Sequence, residues 1–146
     1  MPISALLLVK PHDPATLAIH EYALPHRDSR PRRLAITADD VIWYTDYSRG
    51  FLGRFDPASG RVSEFPSPGG ARSQPYGITV AKGAIWYSES GVRPNTLVRF
   101  DPSTGEFQTW TIPSGGGVVR NMMTTHDGNI VIAESGVDTV ALVEIK

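Results

Sequence analysis

The chain has 146 residues, of which 40% are hydrophobic, so one domain of ordinary size with an apolar core is expected. The formal net charge of −1, with both signs spread along the chain, argues against nucleic acid or an anionic membrane as the main partner. The absence of cysteine excludes disulfides, thiolate catalysis and cysteine-bound zinc.

Short segments rich in β-branched and aromatic residues, separated by Asp, Pro, Gly and Asn, predict an all-β chain without helices. The first apolar run, 5–9, is too short for a membrane helix and lacks the basic start of a secretory signal. We therefore expect a cytoplasmic protein if Met1 is the authentic N-terminus. The predicted strands are, in chain order, 5–9, 17–23, 33–38, 41–46, 51–55, 61–65, 75–80, 84–89, 96–100, 106–112, 119–125, 129–134 and 140–145.

These strands repeat with a period of 43 to 45 residues. The repeated Asp-Pro turns contain Asp13, Asp56 and Asp101. Large apolar residues stand side by side at Trp43-Tyr44 and Trp86-Tyr87, so both faces of the sheet must be covered. Four strands per period, covered on both faces, predict the blades of a β-propeller.

The predicted strands suffice for about three blades, so the ring is incomplete. We assign a first partial blade to 1–25, blades to 26–68 and 69–113, and a C-terminal partial blade to 114–146. Two explanations stay open. Either the sequence is the C-terminal part of a longer propeller, or two chains associate so that the N-terminal outer strand of each completes the C-terminal blade of the other.

The segments IWYTD, IWYSES, LGRFDP and LVRFDPSTGEFQTW resemble the repeats of the virginiamycin B lyase family. That resemblance implies a propeller that opens a cyclic depsipeptide by elimination. It also implies a histidine base at the mouth and a magnesium ion that stabilises the enolate.

The resemblance also implies where those residues would lie. The family's catalytic histidine and one metal-binding glutamate begin an inner strand, which here reads Gln74-Pro75-Tyr76. Tyr76 therefore stands where the histidine would be, and Gln74 where the glutamate would be. The corresponding residues of the other inner strands are Leu34 and Met122, so lyase activity stays open and is suggested by resemblance alone.

The candidate metal ligands are three carboxylates that share one repeat position at the end of the second strand. They are Asp46, Glu89 and Glu134. Oxygen ligands of this type suit Mg²⁺, and Glu89 and Glu134 match the family's glutamate positions. The alternative is that a residue repeated once per blade stabilises the blade by accepting backbone hydrogen bonds.

The connections from outer to inner strands carry the other candidates. His26 and Tyr76 are the candidate catalytic residues, His26 because it lies in such a connection. The candidate ligand-binding residues are Arg32, Arg33, Gln74, Tyr76, Arg120 and Asn121, accompanied by Arg30 and Arg72. Arginine and an aromatic ring at a channel mouth suit a small polar or cyclic ligand with a carboxylate, because the guanidinium pairs bidentately with oxyanions. The alternatives are solvated arginines, a scaffold, or a protein-interaction module.

Overall fold

The structure, a computed structural model, describes residues 5–8 and 19–146. Thirteen strands lie in these residues, one for each predicted strand. They are β1 Ala5–Leu8, β2 His20–Ala23, β3 Pro31–Ile36, β4 Ile42–Asp46, β5 Phe51–Asp56, β6 Arg61–Pro66, β7 Pro75–Ala81, β8 Ala84–Glu89, β9 Thr96–Phe100, β10 Phe107–Thr111, β11 Val119–Thr124, β12 Ile130–Glu134 and β13 Thr139–Val143. The Asp13 turn and predicted strand residues 9 and 17–18 lie outside the described residues.

The strands form separate antiparallel sheets in chain order. Strands β3 to β6 form blade 1, β7 to β10 form blade 2, and β11 to β13 form the three-stranded blade 3. Strands β1 and β2 form an N-terminal pair. The all-β, incomplete propeller predicted from the repeat is therefore confirmed. The described residues contain no helix long and apolar enough to cross a membrane.

The apolar core lies between consecutive sheets rather than inside any one of them. Trp43 and Leu52 of blade 1 pack with Tyr87 of blade 2, while Trp86 packs with Val119 and other residues of blade 3. Trp86 and Tyr87 are neighbours in one strand, so their side chains leave opposite faces of blade 2. Each blade is consequently stable only when sheets cover both of its faces.

The same aromatic contact recurs at successive blade junctions. Tyr22 of β2 lies 5.0 Å from Phe55 of blade 1, measured between ring centroids. Phe65 of β6 lies 4.7 Å from Phe100 of blade 2 in the corresponding place. The outer strand of one sheet thus packs on the third strand of the next, and β2 follows this rule.

Buried hydroxyls at one repeat position of the second strands join neighbouring blades. The Thr45 hydroxyl donates to the Tyr76 carbonyl at 2.7 Å. The Ser88 hydroxyl accepts from the Gly77 amide at 3.0 Å and donates to the Val119 carbonyl at 2.7 Å. These bonds fix the start of each inner strand against the next blade.

We expect Ser88→Ala to lower the free energy of unfolding by about 2–4 kcal/mol, since it leaves a buried amide and a buried carbonyl without partners. Exposed Ser48 makes no hydrogen bond with the described residues, so Ser48→Ala is the control and should change stability by less than about 0.5 kcal/mol. Urea unfolding of both variants measures the difference. Equal stabilities would contradict the role given to the Ser88 hydroxyl.

Candidate functional site

The candidate site lies where the inner strands of the blades begin. Each inner strand is irregular there, with a shift in pairing register between Pro31 and Leu34, between Pro75 and Ile78, and between Val119 and Asn121. Residues inside a bulge are released from regular pairing and can direct their side chains away from the sheet face. The predicted ligand-binding residues of all three inner strands lie at or beside these irregularities.

Two tyrosines and one arginine form the centre of the site. The ring of Tyr76 meets the ring of Tyr47 edge to face, with centroids 5.5 Å apart and an interplanar angle of 82°. The guanidinium carbon of Arg32 lies 4.7 Å from the Tyr47 centroid and 5.9 Å from the Tyr76 centroid. Cation–π attraction therefore holds an exposed positive charge over two aromatic faces.

Arg33 extends this centre to blade 3. Its guanidinium carbon lies 5.6 Å from the Tyr76 centroid. Its Nε donates to the Arg120 carbonyl at 3.2 Å and to Asn121 Oδ1 at 3.1 Å. We call these residues together the mouth cluster: Arg32, Arg33, Tyr47, Tyr76, Asn121 and Arg120, of which Arg120 takes part through its carbonyl. The structure thus brings five of the six predicted ligand-binding residues into one group drawn from three blades.

Gln74, the sixth, lies in an adjoining cleft of about 370 Å³ between blades 1 and 2, together with Arg30 and Arg72. Gln74 has φ of 50°, a left-handed conformation that is uncommon for residues other than glycine. Its carbonyl accepts from the Ser90 amide at 3.1 Å. Tyr47 lines both this cleft and the mouth cluster, so the two form one continuous surface.

His26, a candidate catalytic residue, lies elsewhere. Its Nε2 is 3.3 Å from the carboxylate of Glu64 on the outer strand β6. Glu64 also pairs with Arg49 at 2.7 Å and, as a hydrogen-bond acceptor, raises the pKa of Arg49 above its ordinary value. The described contacts therefore place His26 in an outer-strand ion-pair network, and the other candidate, Tyr76, in the mouth cluster.

The three candidate metal ligands are buried, and each accepts hydrogen bonds from its surroundings. Glu89 accepts from the Ser67 hydroxyl at 2.6 Å, the Gly69 amide at 2.7 Å and the Thr96 hydroxyl at 2.6 Å. Asp46 accepts from the backbone amides of Arg30 and Arg49 and from the Arg49 guanidinium, and Glu134 accepts from the Ser114 hydroxyl.

These carboxylates do not fit a shared magnesium site. Both oxygens of Glu89 and both of Asp46 already hold donors from the chain. Among the residues that the structure describes, no group of three or more His, Asp or Glu side chains is arranged to bind a metal ion. The geometry favours the alternative role, in which each carboxylate ties a loop to its own blade.

Sequence reasoning did not select Tyr47. The repeat contains a signal for it, because Ser90 and Ser135 occupy its position in the other two repeats. An aromatic residue that departs from a repeat of small polar residues indicates a local role rather than a blade-wide one. The same reasoning missed Thr45, whose hydroxyl accepts from the Arg33 amide at 3.3 Å and so helps to fix the bulge.

A family model describing the virginiamycin B lyase family matches residues 13–146. The chain belongs to this family. Of the solved structures, a catalytically inactive virginiamycin B lyase from Staphylococcus aureus with quinupristin is 25% identical to it, at a TM-score of 0.72. A streptogramin B lyase structure is 26% identical, at a TM-score of 0.73. Hydrazine synthase from Kuenenia stuttgartiensis, at 17% identity and a TM-score of 0.77, shares the fold alone.

The alignments cover most of this chain but less than half of each solved protein. Each of the two lyases aligns with 88% of this chain, and the chain spans 46% of the first and 45% of the second. The hydrazine synthase alignment covers 96% of this chain and 40% of that protein. A comparison with curated protein sequences found no match. The chain therefore spans just under half the length of the lyases that it resembles.

We expect Glu89→Gln to lower the free energy of unfolding by about 2–4 kcal/mol, because an amide nitrogen cannot accept the hydrogen bonds that one carboxylate oxygen receives. The loss should be the same with and without millimolar Mg²⁺. Glu106, an exposed turn residue, supplies the control Glu106→Gln, which should unfold like the unchanged chain. Stabilisation by Mg²⁺ in the unchanged chain, absent in Glu89→Gln, would show instead that Glu89 is a metal ligand.

Proposed function

We propose that the mouth of this virginiamycin B lyase-like propeller binds a small polar or cyclic ligand that carries a carboxylate or another oxyanion. The observation that supports this most strongly is the meeting of arginines and tyrosines of blades 1 and 2, which Arg33 joins to the Arg120 carbonyl and Asn121 of blade 3. Within the described residues, the Arg32 guanidinium donates no hydrogen bond, and none of Arg30, Arg32, Arg33, Arg72 and Arg120 forms a salt bridge. Unpaired guanidinium groups in a concave site attract oxyanions and can hold them bidentately.

The tyrosines add a second kind of recognition. The edge-to-face arrangement of Tyr47 and Tyr76 offers aromatic surface for a ring of the ligand, while the arginines supply charge. A solved relative, the inactive lyase from Staphylococcus aureus, is described with quinupristin. Quinupristin and related cyclic molecules are therefore the first ligands to test. Blades absent from this chain, supplied by a second copy or a longer chain, would complete the pocket.

Lyase chemistry is the second candidate, and the observation in its favour is family membership. Elimination requires a base beside the acidic proton and a group that stabilises the enolate. In the mouth cluster the candidate for proton transfer is the Tyr76 phenol, since His26 contacts Glu64 on the outer strand. Because the candidate carboxylates hold loops and do not fit a metal, we give magnesium no role and rank binding above catalysis.

Calorimetric titration with quinupristin and with its ester-hydrolysed linear acid tests the binding proposal. We expect the acid to bind more tightly, and Arg32→Gln to weaken its binding about 10- to 100-fold, the value of a lost charge-assisted hydrogen bond. Arg61 is exposed on the outer strand β6, so Arg61→Gln is the matched control and should leave binding unchanged. Equal affinity of the Arg32→Gln and Arg61→Gln variants would refute the proposed site.

Tyr76→Phe separates binding from catalysis. The proposal uses the face of the Tyr76 ring, so this variant should bind as the unchanged chain does, whereas Tyr76→Ala should bind more weakly. Product analysis of the same mixtures should find quinupristin intact. Ring opening by the unchanged chain that disappears in Tyr76→Phe would favour the lyase over the binding function.

A further inference from the structure

The cleft between blades 1 and 2 has positive charges in its lining and no negative ones. Its volume is about 370 Å³, and the lining includes Arg30, directly before β3, and Arg72, in the connection before β7. None of the described Asp and Glu residues lines it. Both arginines are exposed, and neither guanidinium donates a hydrogen bond or forms a salt bridge within the described part of the chain. Two uncompensated charges in one concave place favour an anionic ligand.

Backbone hydrogen bonds fix both walls of this cleft. On the side of blade 1, the Tyr47 amide donates to the Arg30 carbonyl at 3.2 Å, and the Arg30 amide donates to the buried carboxylate of Asp46 at 3.0 Å. On the side of blade 2, the Gly91 amide donates to the Ser73 carbonyl at 2.7 Å. The backbone segments that carry the two arginines are therefore ordered before a ligand arrives, which lowers the entropic cost of binding.

Two glycines allow the connection that carries Arg72 to pack closely against both blades. A Cβ atom on Gly91, in the turn after β8, would overlap the Arg72 carbonyl oxygen. A Cβ atom on Gly50, in the turn after β4, would overlap the Gly70 carbonyl oxygen and lie 2.9 Å from the Cα atom of Ala71. A larger residue at either glycine would displace the connection, so these two close contacts determine where Arg72 lies.

The donors in this lining suit a phosphate group better than a carboxylate. Each guanidinium offers a pair of parallel N–H groups, and the Ser48 hydroxyl and the Gln74 amide provide further donors in the same lining. A carboxylate has one charge and two oxygens, whereas a phosphate group has a charge of about −1.5 to −2 at pH 7 and three acceptor oxygens. Two arginines therefore balance the charge of one phosphate group.

We propose that the cleft between blades 1 and 2 is a subsite for a phosphate group, which Arg30 and Arg72 bind. The half-buried Tyr47 lines this cleft and also belongs to the mouth cluster, where the Arg32 guanidinium lies 4.7 Å from its ring centroid. A phosphate ester can therefore place its phosphate in the cleft and its organic part against Tyr47. This extension to an ester rests on the proposed function of the mouth, whereas the phosphate subsite does not.

Calorimetric titration with inorganic phosphate and with phenyl phosphate at physiological salt tests the subsite. We expect both to bind, and Arg30→Gln and Arg72→Gln each to weaken their binding about 10- to 100-fold, the value of a lost charge-assisted hydrogen bond. Circular dichroism should be unchanged in both variants. Arg61→Gln removes one exposed charge from β6 and is the matched control, which should bind as the unchanged chain does. Equal affinities of Arg72→Gln and Arg61→Gln, or no binding of either phosphate, would overturn the proposal.

The same variants separate the phosphate subsite from the proposed function of the mouth. Inorganic phosphate should lose affinity in Arg72→Gln and keep it in Arg32→Gln, while the ester-hydrolysed acid of quinupristin should show the reverse. Binding of the acid without binding of phosphate would overturn the subsite alone, and the opposite result would support the subsite and contradict the proposed function.

Phenyl phosphate distinguishes the two sources of a phosphate group. Tighter binding of phenyl phosphate than of inorganic phosphate, with the difference lost in Tyr47→Leu, would support an ester whose organic part contacts Tyr47. Equal binding of the two by the unchanged chain would overturn the ester and support the free phosphate ion as the occupant of the cleft.

Discussion

The structure depends on one constraint, which is that every blade has two apolar faces and each face needs a neighbour. Trp86 and Tyr87, adjacent in sequence, belong to two different clusters on opposite sides of blade 2. No blade has a core of its own, so stability belongs to the junctions between blades. A groove of about 850 Å³ accordingly lies between blade 2 and blade 3, which has three strands within the described residues.

The same junctions build the mouth. The hydroxyls of Thr45 and Ser88 hold each inner strand to the next blade at the place where its pairing shifts register. Residues in those irregular turns are free to differ between repeats without loss of the blade. Tyr76 is such a residue, whereas Tyr47 lies in the turn after β4, where the other repeats have serine. Together these two tyrosines assemble the arginine-bearing surface. Asp46, Glu89 and Glu134, which occupy one position in every repeat, accept hydrogen bonds that hold loops instead.

The fold was predictable from the sequence. The repeat indicates the order of the strands, and adjacent large apolar residues, whose side chains alternate between faces, indicate that both faces of each sheet are covered. The mouth was predictable in part. The approach of Arg33 to Asn121 follows from the rule that inner strands meet at the centre, whereas the contact of Tyr47 with Tyr76 depends on the three-dimensional packing. His26 was predicted to be catalytic because it lies in the connection between an outer and an inner strand. Such a connection runs from the outside of the propeller to its centre, and the contact with Glu64 places His26 near the outer strand. The buried hydrogen bonds of Glu89 depend on loop geometry, which the sequence does not display.

Amide hydrogen exchange, followed strand by strand, tests most directly whether neighbours stabilise each blade. The account predicts the slowest exchange in β8, the second strand of the blade covered on both faces. It also predicts faster exchange in β12 and β13, because one face of blade 3 has no neighbouring sheet within the described residues. Equal protection of β8, β12 and β13 would contradict the dependence of each blade on its neighbours.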